Sequence, residues 1–288
     1  MVWKFYYYTP SSPAAGIFVG LLGLSTVLHL YQLLRTRTWF MIPFLVGGAL
    51  ETVGYVGRLL SSTETPDYTK GPYIMQSALI LIAPAFLAAS IYMTLGRIIF
   101  MVDGEKCSLI RLKWLTKIFV SGDVLSFLMQ ASGAGIMVKD TTNPSTGENI
   151  IIGGLFVQIL FFGFFIISAM VFQSRISSSP SGRSIELSSV WRRHLTALYI
   201  SGALILVRSI FRAVEYIQGY DGYLMKQEVF IYVFDGLLML IAMVILQYIH
   251  PSEINCLIGR GDRHTEKIFK TRKFAPASAL EMGGAMDA

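Results

Sequence analysis

The chain has 288 residues, 53% of them hydrophobic and 15% charged, with a mean hydropathy of +0.57. Soluble domains of this size carry about 25% charged residues, so the composition argues against a water-soluble globule and for an integral membrane protein. The formal net charge of +6 argues against nucleic acid as a partner, because its distribution along the chain follows membrane topology.

The two cysteines, Cys107 and Cys256, form no C-x-x-C pair, so neither a disulfide framework nor a thiolate zinc site is expected. Cys256, near the end of the last apolar run, reads as a free cytosolic thiol, with palmitoylation as the alternative.

Met1–Pro13 holds one lysine, many aromatics and two prolines. It lacks the basic start and short apolar core of a cleavable signal peptide, and is expected to be an extracytosolic N-terminus. A membrane domain over residues 14–250 follows. Crossing about 30 Å of hydrocarbon takes roughly 20 apolar residues, and seven stretches qualify: Ala14–Leu34, Met41–Leu60, Tyr73–Phe100, Leu115–Val138, Ile150–Phe172, Leu195–Ile217 and Val229–Ile249. The third contains Pro84, expected to kink it. The predicted fold class is an all-α bundle of seven transmembrane helices, N-terminus outside and C-terminus cytosolic.

Orientation rests on Lys and Arg in the connecting segments. Lys4, Lys70, Lys139 and Lys226 fall on one side. Arg35, Arg37, Lys106, Arg111, Lys113, Arg175, Arg183, Arg192 and Arg193 fall on the other, joined by Arg260, Arg263, Lys267, Lys270, Arg272 and Lys273 of the tail. Fifteen against four puts the tail inside. The Ser-rich connection Gln173–His194, with Pro180 and Gly182, is expected to be flexible. Residues 251–288 read as a basic, largely disordered cytosolic tail, its basic half near anionic lipid headgroups. The connection and the tail are where cytosolic regulators could bind.

Ionisable groups within spans cost about 2.5–3.5 kcal/mol each on insertion scales, so each is a functional candidate. The second span carries Glu51, Tyr55 and Arg58 on one face; the sixth carries Arg208, Arg212 and Glu215; the seventh follows Glu228 and carries Asp235. The fourth has Asp123 and Gln130 two turns apart, and the third has Gln76 and Tyr92. These positions predict an outward-opening polar cluster shared by spans two, six and seven. Two readings stay open: a substrate path, or ion pairs that fix packing, for example Arg58 with Asp235 or Glu215. Glu51 is the strongest functional candidate, since no basic residue of its own helix lies at its depth.

No P-loop is present, which argues against a self-contained ATP-driven pump. His29, His194, His250 and His264 are scattered without H-x-x-x-H or H-E-x-x-H spacing, so no metal and no other cofactor is expected. The seventh span has no lysine for a retinal Schiff base. His29 reads as a packing histidine, and the pairs Gly16/Gly20 and Ala85/Ala89 read as helix contacts.

The run Glu51–Arg58 (ETVGYVGR) resembles the E-x-x-G-Y-x-x-R signature of the fungal lipid-translocating exporters, the resistance-to-aminocholesterol family. Tyr8-Thr-Pro-Ser11, His29, Ala83-Pro-Ala-Phe86, Ala89-Ser-Ile-Tyr92, Gly122-Asp123 with Gln130 and Gly133, Arg208-Ser-Ile-Phe-Arg212, Glu215, Glu228, Tyr232, Asp235 and His250-Pro251 fit the same pattern. The resemblance spans roughly residues 6–252. It implies a seven-helix fungal protein, commonly of the plasma membrane, of a family associated with export of sphingoid long-chain bases, tolerance to toxic amphiphiles and, in one branch, protoporphyrin handling.

The expected function is therefore translocation of amphipathic lipids, without enzymatic activity. Glu51, Glu215 and Asp235 would meet a cationic amine, Tyr55 and Gln130 its hydroxyls, and the arginines would balance vacant carboxylates; movement would be downhill or ion-coupled. The alternative is a heptahelical sensor of amphiphile stress. Membrane lipids and an amphipathic substrate are the expected partners.

Overall fold

A computed structural model describes residue 6 and residues 8–64, 68–139, 144–219 and 222–259. The chain enters helix α1 (Ser12–Thr36) through Ser11, whose hydroxyl accepts from the Ala14 N–H, with Pro13 in the first turn, where its missing N–H costs nothing. Arg37, left-handed at φ 51°, ends it by donating its N–H to Leu33. α1 buries a narrow stripe, Ala15, Leu22, Ser25, His29, Leu33 and Thr36, at spacings of three, four and seven. The remaining faces expose Ile17, Leu21, Leu24, Val27 and Leu28, as a helix in lipid does.

A 3-10 turn (Trp39–Met41) leads into α2 (Ile42–Thr63). Pro43 sits in its first turn, and the orphan Phe44 N–H is capped from α3 by the Ser90 hydroxyl at 2.9 Å. α3 (Lys70–Met101) packs along α2 more extensively than any other neighbour. The contact is backbone to backbone: a Cβ added to Gly47 would lie 2.9 Å from the Ala83 carbonyl oxygen, and one on Gly57 3.1 Å from the Gln76 nitrogen. α4 (Leu112–Lys139) and α5 (Pro144–Ser178) form a second close pair. α7 (Ser188–Ile217) lies against α3, α5 and the last helix.

That last helix changes register as it runs. It starts as α8 (Glu228–Phe230), widens to a π-helical segment over Ile231–Leu237, and resumes as α9 (Leu238–Tyr248). A short α10 (Ser252–Leu257) follows His250-Pro251.

Among the described residues six helices are long and apolar enough to cross a membrane: Ser12–Thr36, Trp39–Thr63, Lys70–Met101, Thr146–Ser178, Ser188–Ile217 and Glu228–Leu257. The described structure is helical, as expected of a membrane bundle. α4 has 28 residues but falls short in hydropathy, because Asp123, Gln130 and interspersed Ser and Gly dilute its apolar residues.

Two expectations need correction. The connection Gln173–His194 is helical rather than flexible: α5 runs to Ser178, Ser181 caps the short α6 (Gly182–Glu186), and α7 begins at Ser188. Burial of Leu187 and Trp191, with the Trp191 indole donating to the Ser184 carbonyl at 3.0 Å, holds it in place. At the start of the expected tail, Ser252, Ile254 and Asn255 of α10 are buried. Arg193 and His194 bind Glu253 there, and Arg97 reaches Asn255 while stacking on the Phe40 ring. The rest of the tail, from residue 260, lies outside the described residues, as do residues 1–5 and 7 of the expected N-terminal segment. Finally, Gly16 and Gly20 make no contact a Cβ would disturb; they sit off the buried stripe of α1.

His29 is buried, shares a hydrogen bond with the Met243 carbonyl at 3.0 Å and stands edge-on to Phe44, which ties α1 to α9.

Candidate functional site

The charged residues of α2, α7 and the last helix gather at the end of the bundle that carries Tyr6. The π-helical segment is central to this, because it buries Tyr232 and Asp235 together on the face toward α2 and α7. Such widened turns occur often at functional sites. Its wider winding also presents the Ile231 carbonyl to the Tyr55 hydroxyl at 3.1 Å, so Tyr55 is committed to backbone rather than open. The π segment fits closely here, since a Cβ on Gly236 would fall 2.5 Å from the Tyr55 hydroxyl.

Arg58 is fully buried and pairs with Glu228 at 2.8 Å, instead of Asp235 or Glu215. The reason is reach: its Nη2 also meets the Tyr8 hydroxyl at 3.0 Å, and its Nε donates to the Tyr232 hydroxyl at 2.9 Å. Tyr232 and Tyr8 rings flank the guanidinium. The Ser11 N–H binds the same Glu228 oxygen at 2.8 Å, so the N-terminal strap is tied to this pair. Tyr6 adds a further tie by donating to Gln76 at 3.0 Å.

Asp235, fully buried, is held by two arginines. Arg208 Nε lies 3.0 Å from its Oδ1; Arg212 engages both oxygens, Nε at 2.9 Å and Nη2 at 2.7 Å. Arg212 also binds Glu215 at 2.8 Å, one turn along α7. A charge-assisted hydrogen bond of this kind, from Arg212 Nε to Oδ1, fixes orientation as well as charge.

Glu51 differs from these. It is 0% exposed, and neither of its oxygens has a hydrogen-bond partner, although Arg208, Arg212 and Asp235 lie within electrostatic reach. Three arginines thus face three matched carboxylates, Glu228, Glu215 and Asp235, with Glu51 as a fourth, unmatched acid.

An outer cleft of about 80 Å³ borders this cluster, lined by Tyr6, Tyr8, Tyr73, Gln76, Arg212 and Glu215 among others. Pockets that enclose a whole small ligand run to roughly 300–1,000 Å³, so this one has room for a headgroup at most.

Asp123 and Gln130 lie elsewhere. They border a separate small cavity between α3, α4 and α5, and no hydrogen bond or ion pair among the described residues joins them to the arginines. Tyr8, Ser11, Tyr232 and the Ile80 carbonyl complete the charged cluster without having been singled out as site residues. The Tyr-Thr-Pro-Ser run and Tyr232 carried a signal in the family pattern; the π segment that aims Tyr232 carried none.

The chain matches the family described as RTA1 like protein over residues 44–256. It is 39% identical to Protoporphyrin uptake protein 1 of Saccharomyces cerevisiae over 274 residues, covering 83% of this chain and 89% of that one. Protein RTM1 of the same organism is 42% identical over 218 residues, 75% of this chain and 69% of the other. Sphingoid long-chain base transporter RSB1, again from Saccharomyces cerevisiae, is 30% identical over 265 residues, 80% of this chain and 69% of the other. No solved structure matches.

Proposed function

This chain belongs to the family of RTA1-like proteins, and on that footing we propose that it translocates amphipathic lipids, of the sphingoid long-chain base type, and so confers tolerance to them. The observation that carries the reading is the unmatched acid. With Glu51 neutral the cluster of Arg58, Arg208, Arg212, Glu215, Glu228 and Asp235 balances; with Glu51 ionised it holds one spare negative charge. A lipid amine supplies the missing cation, and the low dielectric of a buried site makes that pairing selective. The small cleft, lined by Arg212 and Glu215, receives the headgroup first, the amine pairs with Glu51 once it passes from the cleft into the buried cluster, and the chain of the lipid remains in the bilayer.

The architecture that supports this is seven spans, with α4 as the fourth, the N-terminus outside and the C-terminus in the cytosol. Its support is the fifteen-to-four division of basic residues. The plasma membrane is the proposed location, and no cofactor or catalytic step is required.

A second reading is favoured by the closure of the site. Tyr6 and Tyr8 lie across a cleft too small for a whole lipid, which suits a sensor of amphiphiles as well as an occluded transporter.

The test is transbilayer movement of a labelled sphingoid base in liposomes that contain the purified protein, against empty liposomes and Glu51→Gln. Acceleration lost in the variant is the expected result. No acceleration by folded protein sinks the translocator reading in favour of the sensor. Movement of protoporphyrin without movement of the base overturns the substrate class while keeping transport.

A further inference from the structure

The cavity between α3, α4 and α5 measures about 10 Å³ and is lined by Asp123, Ser126, Gln130 and Gln158 with Leu81, Ile82, Ala85 and Phe127. A space of roughly 10–15 Å³ holds one water-sized particle. No lipid headgroup fits there.

Its polar walls are unusual for a membrane interior. Asp123 is 4% exposed, Gln130 2% and Gln158 6%. Both Asp123 oxygens and the Gln130 carbonyl oxygen lack a hydrogen-bond partner. The Gln130 amide donates to the Ser126 hydroxyl at 2.6 Å and, more weakly, to the Gln158 carbonyl oxygen at 3.4 Å. Ser126 passes its proton on to the Gly154 carbonyl at 2.7 Å. This relay spends the Gln130 N–H and Ser126 O–H donors on one another and on backbone, which leaves the Tyr92 hydroxyl as the donor that faces Asp123.

Close packing builds that arrangement. A Cβ on Gly154 would lie 2.8 Å from the Gln130 side chain and 2.9 Å from the Ser126 carbonyl. The tyrosine that faces Asp123 from α3, Tyr92, has an unpartnered hydroxyl. α5 presents Gln158 there, and the ion pairs among the described residues leave Asp123 out.

An acid surrounded by acceptor oxygens, in a space the size of one ion, asks for a small positive charge. We propose that Asp123, with Ser126, Gln130 and Gln158, binds a single monovalent cation, a sodium ion or a proton. The side chains that line the cavity carry two carboxylate oxygens, two amide oxygens and a hydroxyl, hard donors of the kind a sodium ion takes, whereas a proton needs the Asp123 carboxylate alone. Leu81 borders both this cavity and the outer cleft, so occupancy here and headgroup binding there share one side chain of α3. Under the transport reading the bound cation is the coupling ion. The binding itself does not depend on that reading.

Purified protein in lipid nanodiscs is melted in sodium chloride and in choline chloride at equal ionic strength, across a range of pH. If sodium is the ligand, the wild type gains about 2–4 °C in sodium, and Asp123→Asn and Gln130→Leu lose the gain. If the proton is the ligand, sodium has no effect. The wild type then loses stability as pH rises, Asp123→Asn removes that loss, and Gln130→Leu keeps it. A wild type that ignores sodium and follows pH in the same way as Asp123→Asn overturns the site. Should Asp123→Asn not fold, Gln130→Leu, which keeps the carboxylate, still separates the arms; a wild type insensitive to both sodium and pH then overturns it. Because the readout is melting, failure here leaves the transport assay untouched.

Discussion

Pro84 and Arg208 meet through a single atom, the carbonyl oxygen of Ile80. A proline within a helix has no N–H for the carbonyl four residues before it, and in α3 that carbonyl belongs to Ile80. Arg208 of α7 donates its Nη2 to that oxygen while its Nε holds Asp235. One guanidinium therefore satisfies the carbonyl that Pro84 leaves open in α3 and anchors the charged cluster, which couples that helix to the polar site.

Arg208→Leu should cost about 3–5 kcal/mol, the usual penalty for leaving a buried partner charge uncompensated. Part of that penalty belongs to the Ile80 carbonyl. In Pro84→Ala, residue 84 regains an N–H that can satisfy it, so the double variant should be milder than the sum by about 1 kcal/mol. Thermal unfolding of the four proteins of the cycle measures this. Strict additivity would show that the two residues do not share the carbonyl.

Glu51 and Asp235 should part company when each loses its charge. Asp235→Asn takes the buried carboxylate from Arg208 and leaves Arg212 with Glu215, and a loss of about 3–5 kcal/mol is expected. Glu51→Gln removes an acid that no hydrogen bond holds, so stability should hold or rise while lipid movement falls. Melting curves set beside transport rates separate the two. A large destabilisation by Glu51→Gln would make it a structural acid.

Six of the expected spans were legible in the sequence, because hydropathy over a helix-length run reports directly on the bilayer. Pairing was not. Arg58 reaches Glu228 and not Asp235 because the π segment rotates Asp235 toward α7, and a wider turn at Ile231–Leu237 leaves no mark in an ordinary run of apolar residues. Nor was the separation of Gln130 from Glu51 visible, since two polar residues on different helices meet one ligand only if helix rotation brings them together. The Ser-rich run before α7 misled in the opposite way: serine composition suggested a loose connection, while Leu187 and Trp191 bury enough surface to order it.

Glycines in the bundle should sort by what their Cβ would meet. Gly47→Ala runs into the Ala83 backbone at 2.9 Å and Gly236→Ala into Phe18 and Tyr55 within 2.7 Å, whereas Gly20→Ala meets nothing within 4 Å. Overpacking costs typically 1–3 kcal/mol, and exchange of glycine for alanine in an open helical position gains roughly 0.5–1 kcal/mol. Gly47→Ala and Gly236→Ala should therefore melt below the wild type and Gly20→Ala at or above it. A drop for Gly20→Ala would point to a contact made outside this chain.

The strap over the outer cleft should give the protein an alkaline limit. Burial pushes the Tyr6 phenol from its ordinary 10.0 up to about 12, and raises Tyr8 as well. Both are therefore neutral hydroxyls: Tyr6 donates to Gln76, and Tyr8 accepts from Arg58. The folded state holds the Tyr6 proton more tightly than the unfolded state does. The stability this contributes is complete below the unfolded value near 10 and declines as pH rises toward 12. Tyr6→Phe removes the titrating group together with one hydrogen bond worth about 1 kcal/mol. It should lower the melting temperature at neutral pH and flatten its fall in the alkaline range. Melting curves collected through that range provide the measurement, with phenolate absorbance to follow ionisation. An alkaline limb equally steep in Tyr6→Phe would assign it to another tyrosine and leave the strap without a titrating latch.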